Sequence, residues 1–234
     1  MRRADLRRRA AAEALATALL LAANVGSGIM GERLGAAPAV ALLASSLATG
    51  GALVALILAF GPISGAHMNP VVTLADASQG DLPWREVPAY LAAQLAGAFA
   101  GVAVANLMFD LPVFFASTHA RHGGGKLLGE LVATFGLLSV IWGCARRRAS
   151  AIPFAVASYI VAAFWFTSST SFANPAVTLA RCATDTAAGI CPADAPGFIA
   201  AQLAGAAAAT AVFRWLVPSL PEVADAVVVP REAA

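Results

Sequence analysis

Charged residues are scarce in this sequence of 234 residues. Only 12% of the residues are Asp, Glu, Lys or Arg, whereas 59% belong to the hydrophobic set. A soluble domain usually carries about 25% charged residues. The shortage of charge therefore argues against an ordinary soluble domain, and the net charge of +2 predicts no nucleic-acid partner.

Potential metal ligands and catalytic groups are also sparse. The chain has three histidines and three cysteines, and Cys144, Cys182 and Cys191 lack the spacing of metal ligands. Free thiols are expected, with a Cys182 to Cys191 disulfide as the alternative. Because the sequence shows neither a nucleophile with its base nor a metal cluster, we expect no enzyme activity, no metal and no cofactor.

Long apolar stretches are what the sequence has instead. A helix needs roughly 20 apolar residues to cross a bilayer. Six stretches approach or exceed this length: 13–34, 39–60, 86–109, 127–145, 149–168 and 195–217. They predict an all-α membrane protein with one domain over 13–217, between a basic N-terminus (1–12) and a C-terminal tail (218–234).

The basic residues predict the orientation of these spans. If both termini are cytoplasmic, only Arg33, Arg121, Lys126 and Arg181 of the 15 basic residues lie outside. Lys and Arg near span ends favour the cytoplasmic side. We therefore expect a multi-pass protein of the plasma (inner) membrane with both termini cytoplasmic. A signal peptide is the alternative for the first span, but 13–34 has a counterpart in mid-chain at 127–145.

That counterpart belongs to an internal repeat. NPVVTLAD at 69–76 matches NPAVTLAR at 174–181 in six of eight residues. AAQLAGAFAG at 92–101 matches AAQLAGAAAA at 200–209, and EALAT at 13–17 resembles ELVAT at 130–134. Three landmarks in the same order indicate a duplication, here over about 13–109 and 127–217. Since each half has three spans, the second copy is inverted in the membrane.

The two Asn-Pro motifs predict helix starts. Asn is a strong N-cap and Pro suits the first helical turn, so helices should begin at Asn69-Pro70 and Asn174-Pro175. The apolar stretches that follow are only about two turns long and cannot span a bilayer. Two such half-helices from opposite faces would meet near the midplane with their N–H donors and both Asn amides. Such a centre suits a pore for neutral polar solutes.

These features together resemble the aquaporin, or major intrinsic protein, family over about residues 13–217. The resemblance rests on SGAHMNPVVTLA, SFANPAVTLA and a Glu in each first span. It implies six transmembrane helices and two re-entrant half-helices in an inverted 3+3 repeat, the aquaporin fold, and a homotetramer in membrane lipid. It also implies that Asn69 and Asn174 are central donors and that Glu13 and Glu130 support the half-helix loops. Val71 departs from the alanine usual in the first motif, whereas Pro175-Ala176 follows the second.

The second departure concerns the selectivity filter. The family usually has an arginine directly after Asn-Pro-Ala, and this chain has Val177. The other filter positions, transferred by distance from the motif asparagines, fall on Thr49, Ala162 and Ser171. These four residues include no large aromatic side chain and no cation, so they predict a wide filter. Arg181, one turn after Val177, is predicted either to extend into the outer vestibule or to bind loop carbonyls only.

Three polar residues have alternative interpretations. Glu13 and Glu130 are interpreted as structural supports, with a proton relay as the alternative. His67 is interpreted as a loop residue near the cytoplasmic mouth, with a pH gate as the alternative.

The predicted function is a passive channel for small uncharged solutes. SFANPAVTLAR, the following DTAAGI and the absent filter arginine resemble bacterial aquaglyceroporin-type channels of arsenic resistance. Glycerol-like polyols, arsenous acid, related metalloid hydroxides and water are therefore the expected permeants. A water-selective aquaporin is one alternative, and a secondary transporter with broken helices is another.

Overall fold

A computed structural model describes residues 4–145 and 148–217, and every regular element within them is helical. Six of the helices are long and apolar enough to cross a membrane, which confirms the predicted number of spans. The described residues form eight α-helices: α1 (Leu6–Arg33), α2 (Pro38–Ser64), α3 (Pro70–Gln79), α4 (Val87–Met108), α5 (Gly124–Ala145), α6 (Ile152–Phe166), α7 (Pro175–Arg181) and α8 (Ala195–Leu216).

The first helix begins seven residues earlier than the predicted span. Asp5 caps α1 by accepting a hydrogen bond from the backbone N–H of Arg8, so most of the basic segment predicted as 1–12 forms the first turns of α1. Arg9 is buried there and pairs with Glu86 across 2.8 Å. The contact ties the start of α1 to the start of α4. The predicted tail 218–234 lies outside the described residues.

Glycine residues lie at the contacts of two helix pairs, one in each half. Side chains at Gly97 and Gly101 of α4 would overlap the carbonyl oxygens of Ala14 and Ala18 of α1. In the second half, a side chain at Gly205 of α8 would overlap the carbonyl of Leu131 of α5. The absent Cβ atoms let each pair of helices approach closely. These pairs, α1 with α4 and α5 with α8, repeat the same packing in both halves.

The short helices α3 and α7 fill the space between the two halves. Each contacts the last spanning helix of the opposite half, α3 against α8 and α7 against α4, and the two also touch each other. We call the end of the bundle at which α1 begins the near end, and the end at which α1 finishes the far end. The half-helix α3 lies toward the near end of the bundle, and α7 lies toward the far end.

Candidate functional site

The two motif asparagines face each other across the middle of the protein. Asn69 caps α3 through its Oδ1, which accepts from the backbone N–H of Val71, and Asn174 caps α7 in the same way. The Nδ2 of Asn69 donates to the carbonyl of Ala173 at 2.8 Å, and the Nδ2 of Asn174 donates to the carbonyl of Met68 at 2.7 Å. Each amide therefore closes the loop of the other half.

The loops that precede the asparagines have the same unusual backbone in both halves. Ala66 and Met68 have φ angles of 47° and 50°, and Ser171 and Ala173 have 51° and 48°. These positions lie three residues and one residue before each Asn. Left-handed backbone in non-glycine residues is costly and persists only where surrounding contacts hold it. The repetition of this strain indicates that both loops need the same external support.

The buried carboxylate of Glu13 supplies this support in the first half. Its oxygens accept from the backbone N–H groups of His67 at 2.9 Å and Met68 at 2.7 Å. They also accept from the hydroxyl of Ser64 and the side-chain amide of Gln94. Because these bonds end on the strained loop, Glu13 is placed to hold it in shape.

Glu130 has the equivalent contacts in the second half. It accepts from the backbone N–H groups of Phe172 and Ala173, both at 2.8 Å, and from the amide of Gln202 at 2.6 Å. Gln202 also donates to the hydroxyl of Thr178 in α7, as Gln94 donates to Thr73 in α3. The duplicated Ala-Gln-Leu-Ala-Gly segments thus place one glutamine beside each glutamate, a contact that the repeat alone did not predict.

A cavity of about 80 Å³ runs past both asparagines. This volume is enough for several water molecules. Ile57 and Ile152 line it at the near end and Arg181 lines it at the far end. Most of the remaining wall is apolar and includes Leu20, Leu21, Leu53, Val72, Leu137, Ile141, Val156 and Ile160.

Three of the four residues predicted for the filter line this cavity, namely Thr49, Ser171 and Val177. The prediction of Ala162 is wrong, because Ala162 lies exposed on the outside of α6. Residues four apart share a helix face, and the face of α6 toward the cavity carries Val156, Ile160 and Phe164. The cavity wall thus carries a large aromatic side chain, Phe164, which is not one of the four predicted residues.

Arg181 also lines the cavity, at its far end. Its side chain is 4% exposed, and its Nε donates to the carbonyl of Ala188. The guanidinium carbon lies 3.5 Å from the centre of the Phe172 ring. Arg181 therefore binds a loop carbonyl and also faces both the cavity and the vestibule beyond it.

The vestibule at the far end has a volume of about 390 Å³. Arg121 and Arg181 both line this vestibule. Burial lowers the pKa of Arg121. Nearby, the backbone N–H of Thr118 donates to Asp185 at 2.7 Å and lowers the pKa of that carboxyl group. The far-end loops are thus joined to each other by polar contacts. Cys182 and Cys191 in this region are not joined in a disulfide in the structure.

His67 lies at the near-end side of the asparagines and is buried. Its Nδ1 is 3.1 Å from the hydroxyl of Thr73, and its Nε2 is 3.6 Å from the carboxylate of Asp76. Its ring packs against Tyr90 at 5.5 Å between centroids. His67 also lines the cavity, a position that the sequence alone did not establish.

Sequence reasoning also missed Asn24 of α1, which lines both the cavity and the vestibule. The signal was present in the sequence. Asn24 follows Glu13 by 11 residues, which is about three helical turns, so the two lie on one face. A polar residue on the buried face of an otherwise apolar span is a candidate for function.

Six spanning helices around two opposed half-helices, with a polar pair inside a lined passage, define a membrane channel rather than an enzyme. The sequence model of the family described as Major intrinsic protein matches residues 1–157. The chain belongs to the major intrinsic protein family, and the alternative of a secondary transporter is dropped because members of this family are channels.

Individual relatives agree with this assignment. The chain is 53% identical over 222 residues to aquaglyceroporin AqpS of Rhizobium meliloti (strain 1021), covering 94% of this chain and 95% of that protein. It is 41% identical over 137 residues to aquaporin NIP1-4 of Oryza sativa subsp. japonica, covering 57% of this chain and 49% of that protein. The X-ray structure of the aquaglyceroporin from Plasmodium falciparum superposes with a TM-score of 0.71 over 92% of this chain and 99% of that chain. Its sequence identity is 20%, so this last likeness shows the fold alone.

Proposed function

We propose that the chain forms a passive pore for small uncharged solutes: glycerol-like polyols, arsenous acid and related metalloid hydroxides, and water. The observation that carries this proposal is the opposed pair Asn69 and Asn174 on an otherwise mostly apolar passage. The similarity to AqpS, which is named an aquaglyceroporin, supports the polyol part of the proposal. The metalloid part rests on the resemblance of the SFANPAVTLAR segment to bacterial aquaglyceroporin-type channels of arsenic resistance.

The chemistry of the centre favours neutral hydroxylated molecules. Each Asn amide uses one N–H on the opposite loop and has a second N–H for a passing oxygen. Among the described residues that line the cavity there is no Asp or Glu, so a cation would lose its hydration without compensation. Arg181 adds positive charge at the far end, which disfavours cations and protons further.

Val177 makes the proposed filter wider than one with arginine at that position. The backbone of Arg181 lies four residues further along α7, a displacement of about 6 Å toward the far end. The guanidinium group of Arg181 therefore lies at the far-end mouth, and the branched aliphatic side chain of Val177 lines the wall of the cavity. A solute with three hydroxyls would pass this wall without meeting a fixed charge beside the asparagines.

Flux through proteoliposomes tests this function. Stopped-flow light scattering with water, glycerol and arsenite gradients should show linear, gradient-driven permeation of all three by the unmodified protein. Val177→Arg should lower glycerol and arsenite permeability about ten-fold or more and water permeability less, because pore width and fixed charge set selectivity. Val177→Leu adds bulk without charge and separates the two causes.

Two outcomes would contradict the proposal. Permeation of water alone by the unmodified protein would favour a water-selective aquaporin. Unchanged glycerol and arsenite permeability in Val177→Arg would remove position 177 from the filter.

We extend the proposal to assembly and orientation on the family resemblance. The pore would occur four times in a homotetramer of the plasma (inner) membrane, with the near end and both termini in the cytoplasm. Native mass spectrometry from detergent would show the tetramer. Protease accessibility of a tag at each terminus in inverted and right-side-out vesicles would show the orientation.

A further inference from the structure

Asn24 stands where the pore cavity meets the vestibule. Only three of the described residues line both spaces, namely Asn24, Phe164 and Arg181. Phe164 is apolar at its ring, and Arg181 offers N–H donors but no acceptor. Asn24 is therefore the one member of this set that can accept a hydrogen bond from a solute.

The hydrogen bonds of Asn24 leave its acceptor unused. Its Nδ2 donates to the hydroxyl oxygen of Thr49 at 3.1 Å, which fixes the amide against α2. Its Oδ1 is buried and has no protein hydrogen-bond partner in the described part of the chain. The residue as a whole is 5% exposed. A buried amide oxygen without a partner is unfavourable and calls for water or a ligand.

A second unused polar atom lines the same cavity. The hydroxyl of Ser171, on the loop before Asn174, is buried and also has no protein partner among the described residues. Asn24 and Ser171 come from different parts of the fold, α1 and the second signature loop. Two unpaired polar atoms on one passage indicate that the passing molecule, rather than the protein, completes their hydrogen bonds.

The internal repeat shows that the fold itself does not require this asparagine. Aligning Glu13 with Glu130 places Asn24 opposite Ile141, and both residues line the cavity. Both lie 11 residues after the supporting glutamate, in equivalent spans of the two halves. At the near end of the passage the equivalent position is the isoleucine Ile141. A polar side chain is therefore needed only toward the far end, where Asn24 lies. The asymmetry points to solute recognition rather than to helix packing.

We propose that the Oδ1 of Asn24 accepts a hydrogen bond from a hydroxyl group of the permeating solute and so favours polyhydroxylated neutral solutes over water. The inference rests on the proposed function and names a specificity-determining residue for it. Water molecules that pass in single file can donate hydrogen bonds to one another. A larger solute displaces that file and depends on acceptors in the wall. A site that pairs with a solute hydroxyl discriminates because the alternative leaves buried groups unpaired.

The test measures the ratio of glycerol to water permeability in proteoliposomes. Asn24→Leu keeps the branched shape and the number of heavy atoms and removes the acceptor, so the ratio should fall about five-fold, the size expected for one hydrogen bond. Asn24→Thr retains an oxygen, because a helical threonine can donate its hydroxyl to the backbone carbonyl one turn earlier and keep its lone pairs. Its ratio should stay within about two-fold of the unmodified protein.

A matched control separates recognition from packing. Ser27 lies one turn after Asn24 and also joins α1 to α2, through a contact of 3.3 Å with Ser45, but it does not line the cavity. Ser27→Ala should leave the ratio unchanged. If Asn24→Leu does not enter liposomes as a folded protein, the smaller apolar variant Asn24→Val carries the same test.

The outcomes are distinguishable from those of the proposed function. An unmodified protein that passes glycerol, with an unchanged ratio in the folded Asn24→Leu or Asn24→Val variant, overturns the inference alone. An equal fall in Ser27→Ala would assign the effect to packing and also overturn it. An unmodified protein that passes water but no glycerol overturns the proposed function, and the inference fails with it.

Discussion

The guanidinium of Arg181 rests on the ring of Phe172, with 3.5 Å between the guanidinium carbon and the ring centre. Phe172 belongs to the second signature loop, and its backbone N–H donates to Glu130. The cation at the far-end mouth is therefore anchored to the same loop that carries Asn174. Because Glu130 holds this loop through two backbone N–H groups, the position of the charge is defined. Arg181 lies one helical turn after Val177, the position at which the family usually has its arginine.

Replacing Arg181 by glutamine should remove the positive charge while keeping a long polar side chain. We expect increased leakage of small cations or protons, because a fixed positive charge at a pore mouth repels them. Glycerol permeability should be unchanged or higher. The measurement is the decay of a potassium-diffusion or pH gradient in proteoliposomes, followed with a voltage- or pH-sensitive dye.

Arg181→Lys is the matched control, since it keeps the charge but loses the planar group that stacks on Phe172. It should remain closer to the unmodified protein in cation exclusion than Arg181→Gln. Equal cation leakage in all three proteins would show that Arg181 does not set the barrier.

Replacing Glu130 by glutamine should destabilise the protein strongly. The carboxylate accepts from two backbone N–H groups and from Gln202, and an amide NH₂ group in its place would face a donor. Leaving buried donors unpaired in this way should cost about 3 kcal/mol or more. Thermal unfolding in detergent, followed by circular dichroism or by loss of monodispersity, would record the lowered stability.

Glu32→Gln provides the comparison. Glu32 is exposed and accepts one hydrogen bond, from the backbone N–H of Ala187, which a glutamine oxygen can still accept. Its effect should be less than about 1 kcal/mol. Similar unfolding curves for Glu130→Gln and the unmodified protein would contradict the supporting role and revive the proton-relay alternative.

Phe164 and Ala162 form a test pair for the face of α6 that lines the passage. Phe164→Ala should widen the junction between cavity and vestibule and raise glycerol permeability several-fold, about three-fold or more, because pore diameter limits the larger solute. Ala162→Val, on the exposed side of α6, should leave glycerol and water permeability unchanged. A strong effect of Ala162→Val without one of Phe164→Ala would restore the original assignment.

Much of the architecture could be predicted from local patterns. Apolar stretches of membrane-spanning length predicted the six helices that the structure shows. The Asn-Pro motifs predicted the starts of α3 and α7 because capping and proline preferences are properties of a few consecutive residues. The paired glutamates were recognised because the repeat placed them at equivalent positions.

The filter could be predicted only in part. Thr49, Ser171 and Val177 were placed on the passage by their distance from the motif asparagines. Ala162 was not, because the start of α6 sets the rotation of its faces, and a shift of two residues turns a side chain by about 200°. Asn24 was overlooked because a single polar residue in a span has many structural explanations until its neighbours are known.

The sequence by itself determined the number of spans, the inverted duplication and the two helix starts that meet at Asn69 and Asn174. These features depend on residues close together in the chain, or on a phrase repeated within it. Only the tertiary structure decided which side chains meet where the passage opens into the vestibule. Asn24, Phe164 and Arg181 come from three different helices, so their meeting depends on helix rotation and packing across the whole bundle.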